Sequence, residues 1–243
     1  MTGWKARTLR LTVFLPHETF AKGSEVRFEE IVGTQPEHVV NRAGQQSEEG
    51  SFETGRILLQ KQPGRIDVVL AGFPKAEEPE DPVATLGEFE VAFETLRSIA
   101  IKTFAKAGSL VRIALGAEMV TAAPSADAAY RILIDHIGSA TFRLDGGQEF
   151  VYQINRPRRS NFLDGLLINR LTRWNASSWQ PVTVEFGAGA RVLSGPPRVG
   201  AVITTDVNTD GENAKPFPAE LLPSILDHLR LLTVEIRDKG DIA

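Results

Sequence analysis

The chain has 243 residues, with 27 Lys and Arg against 31 Asp and Glu, so its formal net charge at neutral pH is −4. Hydrophobic residues make up 42% and charged residues 24%, which is typical of folded globular domains and excludes an intrinsically disordered chain. The chain contains no Cys. This excludes Cys-based zinc sites, iron–sulfur clusters and thiol nucleophiles.

The first residues run directly into an alternating stretch and contain no uninterrupted apolar region of a signal peptide. The longest apolar runs, such as residues 68–71, are far shorter than the roughly 18 residues that a membrane span needs. We therefore predict a cytoplasmic protein with no membrane partner.

The N-terminal third is predicted to be mostly β-structure. Residues 8–15 alternate apolar and polar side chains, the pattern of a half-buried strand, and a short helix is predicted within 25–32. Two further strands are predicted at 52–60 and 65–71, where β-branched and apolar residues are frequent. The intervening Pro63-Gly64 predicts a hairpin turn, because Gly tolerates a positive φ.

The middle of the chain contains the first strong helix signals. Residues 74–82 are acidic and rich in Pro, which predicts a surface loop and the only soft boundary in an otherwise single domain of residues 1–243. Apolar residues then recur at helical spacing from 86 to 104. A strand at 110–119 and a second helix from Ser125, its predicted N-cap, to Gly138 follow.

The last hundred residues are predicted to form strands and then a closing helix. Strands are expected at 141–144, 149–155, 166–174, 181–186 and 198–207, and a helix at 220–236. Strands and helices come in blocks without regular alternation. The prediction is an α+β fold: a mainly antiparallel sheet with two long amphipathic helices and one shorter helix packed on it.

Sequence motifs for catalysis and cofactor binding are scarce. The phosphate-loop pattern is absent, and no motif singles out a Ser nucleophile, so we predict no cofactor and lean against an enzyme. Asp206, Asn208 and Asp210 match the first half of a calcium loop, but its twelfth position, which should be Glu, is Phe217. These three residues are weak metal candidates, and a turn held by local hydrogen bonds is the favoured explanation.

The electrostatic anomaly is an Arg-rich segment, residues 151–200. It holds seven Arg against two acidic residues and no Lys, in a chain that is acidic overall. Arg is suited to planar, bidentate contacts with carboxylates or phosphates. Two alternatives remain open: the arginines pair with the acidic residues of 201–243, or they bind an external anion or an acidic protein surface.

A repeated tripeptide lies inside this segment, Ile154-Asn155-Arg156 and Ile168-Asn169-Arg170. An antiparallel hairpin centred on Phe162 would place Asn155 opposite Asn169 and put Arg156 and Arg170 together on the other face, two rungs apart. Residues 157–161 would then form an exposed connection.

These motifs carry a resemblance. The stretches 153–160, 168–174 and 205–209, with features of 112–116 and 130–133, resemble a family of uncharacterised, sporadically distributed bacterial α+β proteins. The resemblance covers about residues 90–240 and implies a fold class and a bacterial cytosol. It implies no catalytic residues.

We therefore expect a non-catalytic cytosolic binding protein that acts with a partner protein in a bacterial multi-component system, such as stress response or defence. One alternative is binding of a nucleic-acid backbone through residues 151–200. Another is a metal-dependent phosphoryl-transfer or hydrolytic enzyme using Asp206 and Asp210. The predicted binding residues are Asn155, Arg156, Arg158, Arg159, Asn169, Arg170, Arg173, Trp174 and Trp179, with Trp174 or Trp179 as the apolar anchor.

Overall fold

The structure is a computed structural model. It describes residues 3–16, 26–53, 55–73, 83–105, 107–138, 148–163, 165–180, 182–186, 190–211 and 215–242. The predicted acidic loop at 74–82 and the predicted strand at 141–144 lie outside these residues.

One large sheet organises the chain, and all of its strand pairs are antiparallel. Its strands run in the order β10-β11-β14-β8-β1-β5-β4-β3-β2, with β9 also pairing with β11 and β6 with β1. The bounds are β1 Lys5–Phe14, β2 His38–Arg42, β3 Gln45–Phe52, β4 Gly55–Gln62, β5 Arg65–Gly72, β6 Gly87–Glu88, β8 Arg112–Ala123, β9 Val151–Asn155, β10 Arg158–Arg159, β11 Leu167–Trp179 and β14 Arg198–Thr209. Two small two-stranded sheets pair β12 Val182–Phe186 with β13 Ala190–Ser194, and β15 Phe217–Pro218 with β7 Ser109–Leu110.

The described residues contain four α-helices: α1 Phe28–Val32, α2 Phe89–Phe104, α3 Ala126–Ile137 and α4 Leu222–Lys239, the last preceded by a 3₁₀ turn at Ala219–Leu221. Helix α2 packs against β1, α3 against β11 and β14, and α4 against β8 and β14. The fold is therefore α+β with a mainly antiparallel sheet.

Because side chains alternate along a strand, every strand of the sheet has one set facing the helices and one set facing away. In β1 the helix side carries Leu9, Leu11 and Val13, all fully buried in the main hydrophobic core. The opposite set includes Thr8 and Arg10. We call the surface formed by this opposite set across all strands the open face.

Local signals in the sequence placed several elements correctly. The predicted strand at 8–15 is β1, and the predicted hairpin joins β4 to β5 through Gly64, whose φ is 71°. Helix α3 begins after Ser125, whose side chain accepts a hydrogen bond from the Ala128 N–H, and ends at Gly138 with φ 66°. Each of these features depends on residues close in sequence, which is why it could be predicted.

Strands β2 and β3 were not predicted. All five residues of β2 are exposed, and β3 reads Gln45-Gln46-Ser47-Glu48-Glu49 before its first buried residue, Gly50. Among the described residues β2 is an edge strand that pairs with β3 alone, and neither strand shows the alternation of apolar and polar residues that marks a half-buried strand. Backbone hydrogen bonds of β2 to β3 and of β3 to β4 hold them in the sheet.

No helix among the described residues is long and apolar enough to cross a membrane.

A half-buried histidine lies where α3 meets the end of α4. The imidazole of His136 packs against Trp4, with ring centroids 5.2 Å apart. Burial lowers the pKa of His136 below its ordinary value of 6.5, and a hydrogen bond with the backbone of Ile236 and the charge of Asp238 only oppose this shift. The native state therefore favours the neutral imidazole.

This histidine predicts a loss of stability in mild acid. Below pH 6.5 the unfolded chain binds a proton at His136 that the folded chain resists, so the free energy of unfolding falls as the pH falls. We expect the melting temperature of His136→Phe to decline less than that of the wild type between about pH 7.5 and 5.5. Equal slopes for the wild type and the variant would contradict the prediction.

Candidate functional site

The two copies of the repeated tripeptide lie on neighbouring strands, β9 and β11, and strand alternation splits each copy between the two faces. Asn155 and Asn169 lie on the open face, and Asn155 Nδ2 donates a hydrogen bond to Asn169 Oδ1 at 3.2 Å. Arg156 and Arg170 lie on the helix side, where the Arg156 N–H bonds to the Arg170 carbonyl. The predicted sharing of faces is confirmed, but the register differs: Asn155 lies opposite Leu171, and Arg156 directly opposite Arg170.

A ladder of polar side chains crosses the open face from β9 to β1. Asn169 Nδ2 donates to Asn208 Oδ1 at 3.4 Å, and Asn208 Nδ2 donates to Asp206 Oδ1 at 2.7 Å. Arg10 Nη2 then donates to Asp206 Oδ2 at 3.1 Å. Three motifs that are far apart in the sequence, the two tripeptides and the segment around Asp206, thus form one hydrogen-bonded network.

Gly116 leaves room for the contact between Arg10 and Asp206. It lies between Asp206 on β14 and Arg10 on β1 in the same row of the sheet. A Cβ at Gly116 would come within 3.4 Å of Arg10 Nε. The guanidinium can therefore lie across β8 and reach the carboxylate two strands away.

The open face contains a cavity of about 560 Å³ beside this ladder. Its wall includes Arg10, Arg65 and Arg173 together with Asp67, Glu118 and Asp206. The volume falls within the range of sites for small ligands or for a side chain of a partner protein.

Most charged groups of this wall are paired with one another. Arg65 forms a bidentate contact with Asp67, both bonds being 2.8 Å, and Arg10 pairs with Asp206. Glu118 is bound by Arg7 at 2.5 Å. Arg173 is the exception: it is exposed, and no carboxylate of the described residues pairs with it.

Basic side chains outnumber acidic ones on the open face, although the chain as a whole is acidic. The strand register places on this face the basic residues Lys5, Arg10, Arg42, Arg56, Arg65, Arg112, Arg159, Arg173 and Arg198. Arg7 is at a bulge of β1, and its contacts with Glu118 and Trp179 place it on the same face. It places there the acidic residues Glu49, Asp67, Glu88, Glu118 and Asp206. The open face therefore carries a positive charge excess, and the negative excess of the chain lies elsewhere.

The helix side holds Arg156, Arg158 and Arg170 of the Arg-rich segment, and the first two of them pair inside the chain. Arg156 binds both carboxylate oxygens of Asp241 through Nε and Nη2, and Tyr152 donates to the same carboxylate at 2.7 Å. Arg158 pairs with Glu235 of α4 at 2.7 Å. Arg156 and Arg158 therefore pair with acidic residues of the segment 201–243, which is the first of the two alternatives that the sequence left open.

Hydrogen bonding and burial on the helix side shift the pKa values of three side chains. The hydrogen bond to Asp241 raises the pKa of Arg156 above its ordinary value, and burial raises the pKa of Tyr152. Arg170 is 2% exposed, and its Nε and Nη1 have no hydrogen-bond partner among the described residues. Burial, reinforced by the nearby charge of Arg158, lowers the pKa of Arg170.

Two further expectations about the segment need correction. Trp174 is 1% exposed and lies in the core beside Tyr152, because its strand turns it toward the helices, so it cannot act as a surface anchor. The connection 157–161 is not wholly exposed, because Ser160 is buried and accepts hydrogen bonds from the N–H groups of Phe162 and Leu163. Trp179 is half-buried on the open face, where the guanidinium of Arg7 lies over its ring.

The weak metal candidates belong to a strand and not to a cation-binding loop. Asp206 and Asn208 lie within β14, and Asp210 follows its end. An extended strand advances about 3.3 Å per residue, which separates the Cα atoms of Asp206 and Asp210 by roughly 13 Å. Within the described residues no group of three or more His, Cys, Asp or Glu is arranged to hold a metal ion.

Several residues of the site carry no signal in the sequence. Arg10 lies in the alternating pattern of an ordinary strand, and its partner Asp206 is 196 residues away. The same holds for Thr204, which lines the cavity next to Arg173. Gly116 and Gln153 also line the cavity, and they belong to stretches of the family resemblance that assign them no role. Only the strand order brings these residues together.

Comparison with known proteins gives no match to a family model, to a curated protein or to a solved structure. The resemblance to uncharacterised bacterial proteins therefore stays a prediction.

Proposed function

We propose that this chain is a non-catalytic binding protein that uses the open face of its sheet to bind a partner protein with an acidic surface, as one component of a bacterial system such as stress response or defence. The observation that carries this proposal is the positive charge excess of a sheet face that has a cavity in it, within a chain of net charge −4. Such charge complementarity steers association and selects partners.

The arginines that could bind a partner are a subset of those in the Arg-rich segment. Arg159 and Arg173 are exposed on the open face, whereas Arg156 and Arg158 are committed to Asp241 and Glu235. A partner surface would therefore contact residues from several strands and not the segment alone.

A nucleic acid is a weaker candidate for the same face. Single-stranded nucleic acids bind to basic grooves that also offer aromatic rings for stacking. On the open face, Arg65 and Arg112 from the two neighbouring strands contact the ring of Phe14, at 5.6 and 5.4 Å from the ring centroid. The guanidinium of Arg7 lies over the ring of Trp179. The described aromatic rings of this face are thus occupied by guanidinium groups of the chain itself.

The proposal is tested by comparing capture of proteins from the organism that encodes the chain. The variant Arg159→Glu with Arg173→Glu reverses two exposed charges of the open face. We expect it to lose, at least about tenfold, an acidic protein retained by the wild type, because a repulsive contact replaces each charge-assisted hydrogen bond. Its melting temperature should barely change, since neither side chain is buried.

The matched control is Lys102→Glu with Arg131→Glu, which makes the same charge change on exposed residues of α2 and α3. The control should keep the partner. Equal loss in both double variants, or retention that disappears after nuclease treatment, would overturn the proposal in favour of nonspecific charge attraction or nucleic-acid binding.

A further inference from the structure

We propose that the open-face cavity is a recognition site for a single carboxylate, supplied by an Asp or Glu side chain of the bound partner, and that Arg173 is its anchor. This inference rests on the proposed function and specifies the chemistry of the partner at one position. It is carried by the geometry around Arg173 and by the pairing of charges in the cavity wall.

The geometry offers donors on both sides of the guanidinium. Arg173 on β11 lies opposite Gln153 on β9 and opposite Thr204 on β14, so the three side chains form one row across the open face. All three line the cavity. An amide and a hydroxyl can each donate a hydrogen bond to a carboxylate that is held by the guanidinium.

The cavity wall carries three basic and three acidic side chains, and their pairing, with Arg7 from outside the wall binding Glu118, leaves one guanidinium of the wall without a carboxylate among the described residues. Asp67, Asp206 and Glu118 are bound by Arg65, Arg10 and Arg7 respectively. Arg173 has no such partner among the described residues that line the cavity. A ligand with one negative charge would therefore neutralise Arg173. The planar guanidinium matches a carboxylate through two parallel N–H···O bonds.

The surroundings of Arg173 favour an isolated carboxylate over a phosphodiester chain. A nucleic-acid backbone needs a track of cations, but Glu118 lies in the same row of the sheet as Arg173, and Asp206 lies in the next row. These carboxylates already bind Arg10 and Arg7, so neighbouring phosphates would find no second free cation among the described residues that line the cavity. Leu171, which is 36% exposed next to Arg173, instead offers an apolar surface to the methylene groups of an acidic side chain.

The test uses two neutral-ended tripeptides that differ by one group: acetyl-glycyl-glutamyl-glycine amide and its glutaminyl counterpart. Binding is followed by NMR through the side-chain Nε–Hε signal of Arg173 in the full chain. We expect the glutamyl peptide to shift this signal saturably and to bind at least about tenfold more tightly than the glutaminyl peptide, because only the carboxylate forms charge-assisted bonds. Arg173→Gln should abolish the difference, and Arg131→Gln, which is exposed on α3, should preserve it.

Equal binding of the two peptides would overturn the inference, as would undiminished discrimination in Arg173→Gln. Tighter binding of dimethyl phosphate than of the glutamyl peptide would overturn it in favour of a phosphodiester. Loss of the protein partner in the charge-reversal variant, without any binding of the glutamyl peptide, would refute the carboxylate site and leave the proposed function standing. Binding of the glutamyl peptide without a captured protein partner would refute the proposed function and leave the carboxylate site standing.

Discussion

Asp241→Ala is expected to lower the free energy of unfolding by about 2–3 kcal/mol, because it leaves guanidinium groups on the helix side without their counter-charge. The Asp241 side chain is 1% exposed and receives Arg156 and Tyr152. Arg156 is 34% exposed, so water solvates part of its charge, and the loss is smaller than for a fully buried pair. Arg170, fixed nearby in the core, has no comparable access to water.

Urea denaturation monitored by tryptophan fluorescence measures this loss. The matched control is Asp238→Ala, which removes a carboxylate that pairs with Arg237 but is 53% exposed. The control should cost no more than about 1 kcal/mol, since exposed ion pairs contribute little. Equal costs for the two variants would mean that Asp241 does not anchor the C-terminal segment to the sheet.

Gly240→Ala is expected to cost about 3–5 kcal/mol, a sum of backbone strain and of a steric clash. Gly240 ends α4 with φ 75°, and a Cβ there would lie 1.8 Å from the carbonyl oxygen of His136 at the end of α3. The obstacle is backbone, so the ends of both helices would have to move apart. Because Asp241 follows directly, its contact with Arg156 would weaken as well.

Gly108→Ala serves as a control without a steric clash, so that the difference between the two variants gives the steric part of the effect. Gly108 has nearly the same φ, 73°, but no atom lies within 4 Å of a Cβ built on it. We expect this control to lose only about 1–2 kcal/mol, the cost of a left-handed backbone for a residue with a side chain. If the two glycine variants prove equally stable in urea, the close approach of α3 and α4 does not restrict the fold.

Several residues of the candidate site could be predicted from the sequence, but the pairing of its charged side chains could not. Asn155, Asn169 and Arg173 were singled out because they lie in a repeated tripeptide or in the Arg-rich segment, and Asp206 and Asn208 because they match part of a calcium loop. Alternation along a strand also predicted that the Asn and Arg of each tripeptide separate to opposite faces. Which face is open, and which acid neutralises which arginine, depends on strand order and on where α4 packs.

By itself, the amino-acid sequence determined the features that neighbouring residues decide: strand β1, the hairpin at Gly64, the capped helix α3 and the α+β class. The tertiary structure alone decided that Arg10 meets Asp206 and that Arg156 meets Asp241, 85 residues away. Alternation assigns a side chain to one of two faces, but it carries no information on which strands become neighbours or which face the helices cover. The strand order and the covered face are set when the apolar face of the whole sheet is buried at once. They decide which charged side chains become neighbours.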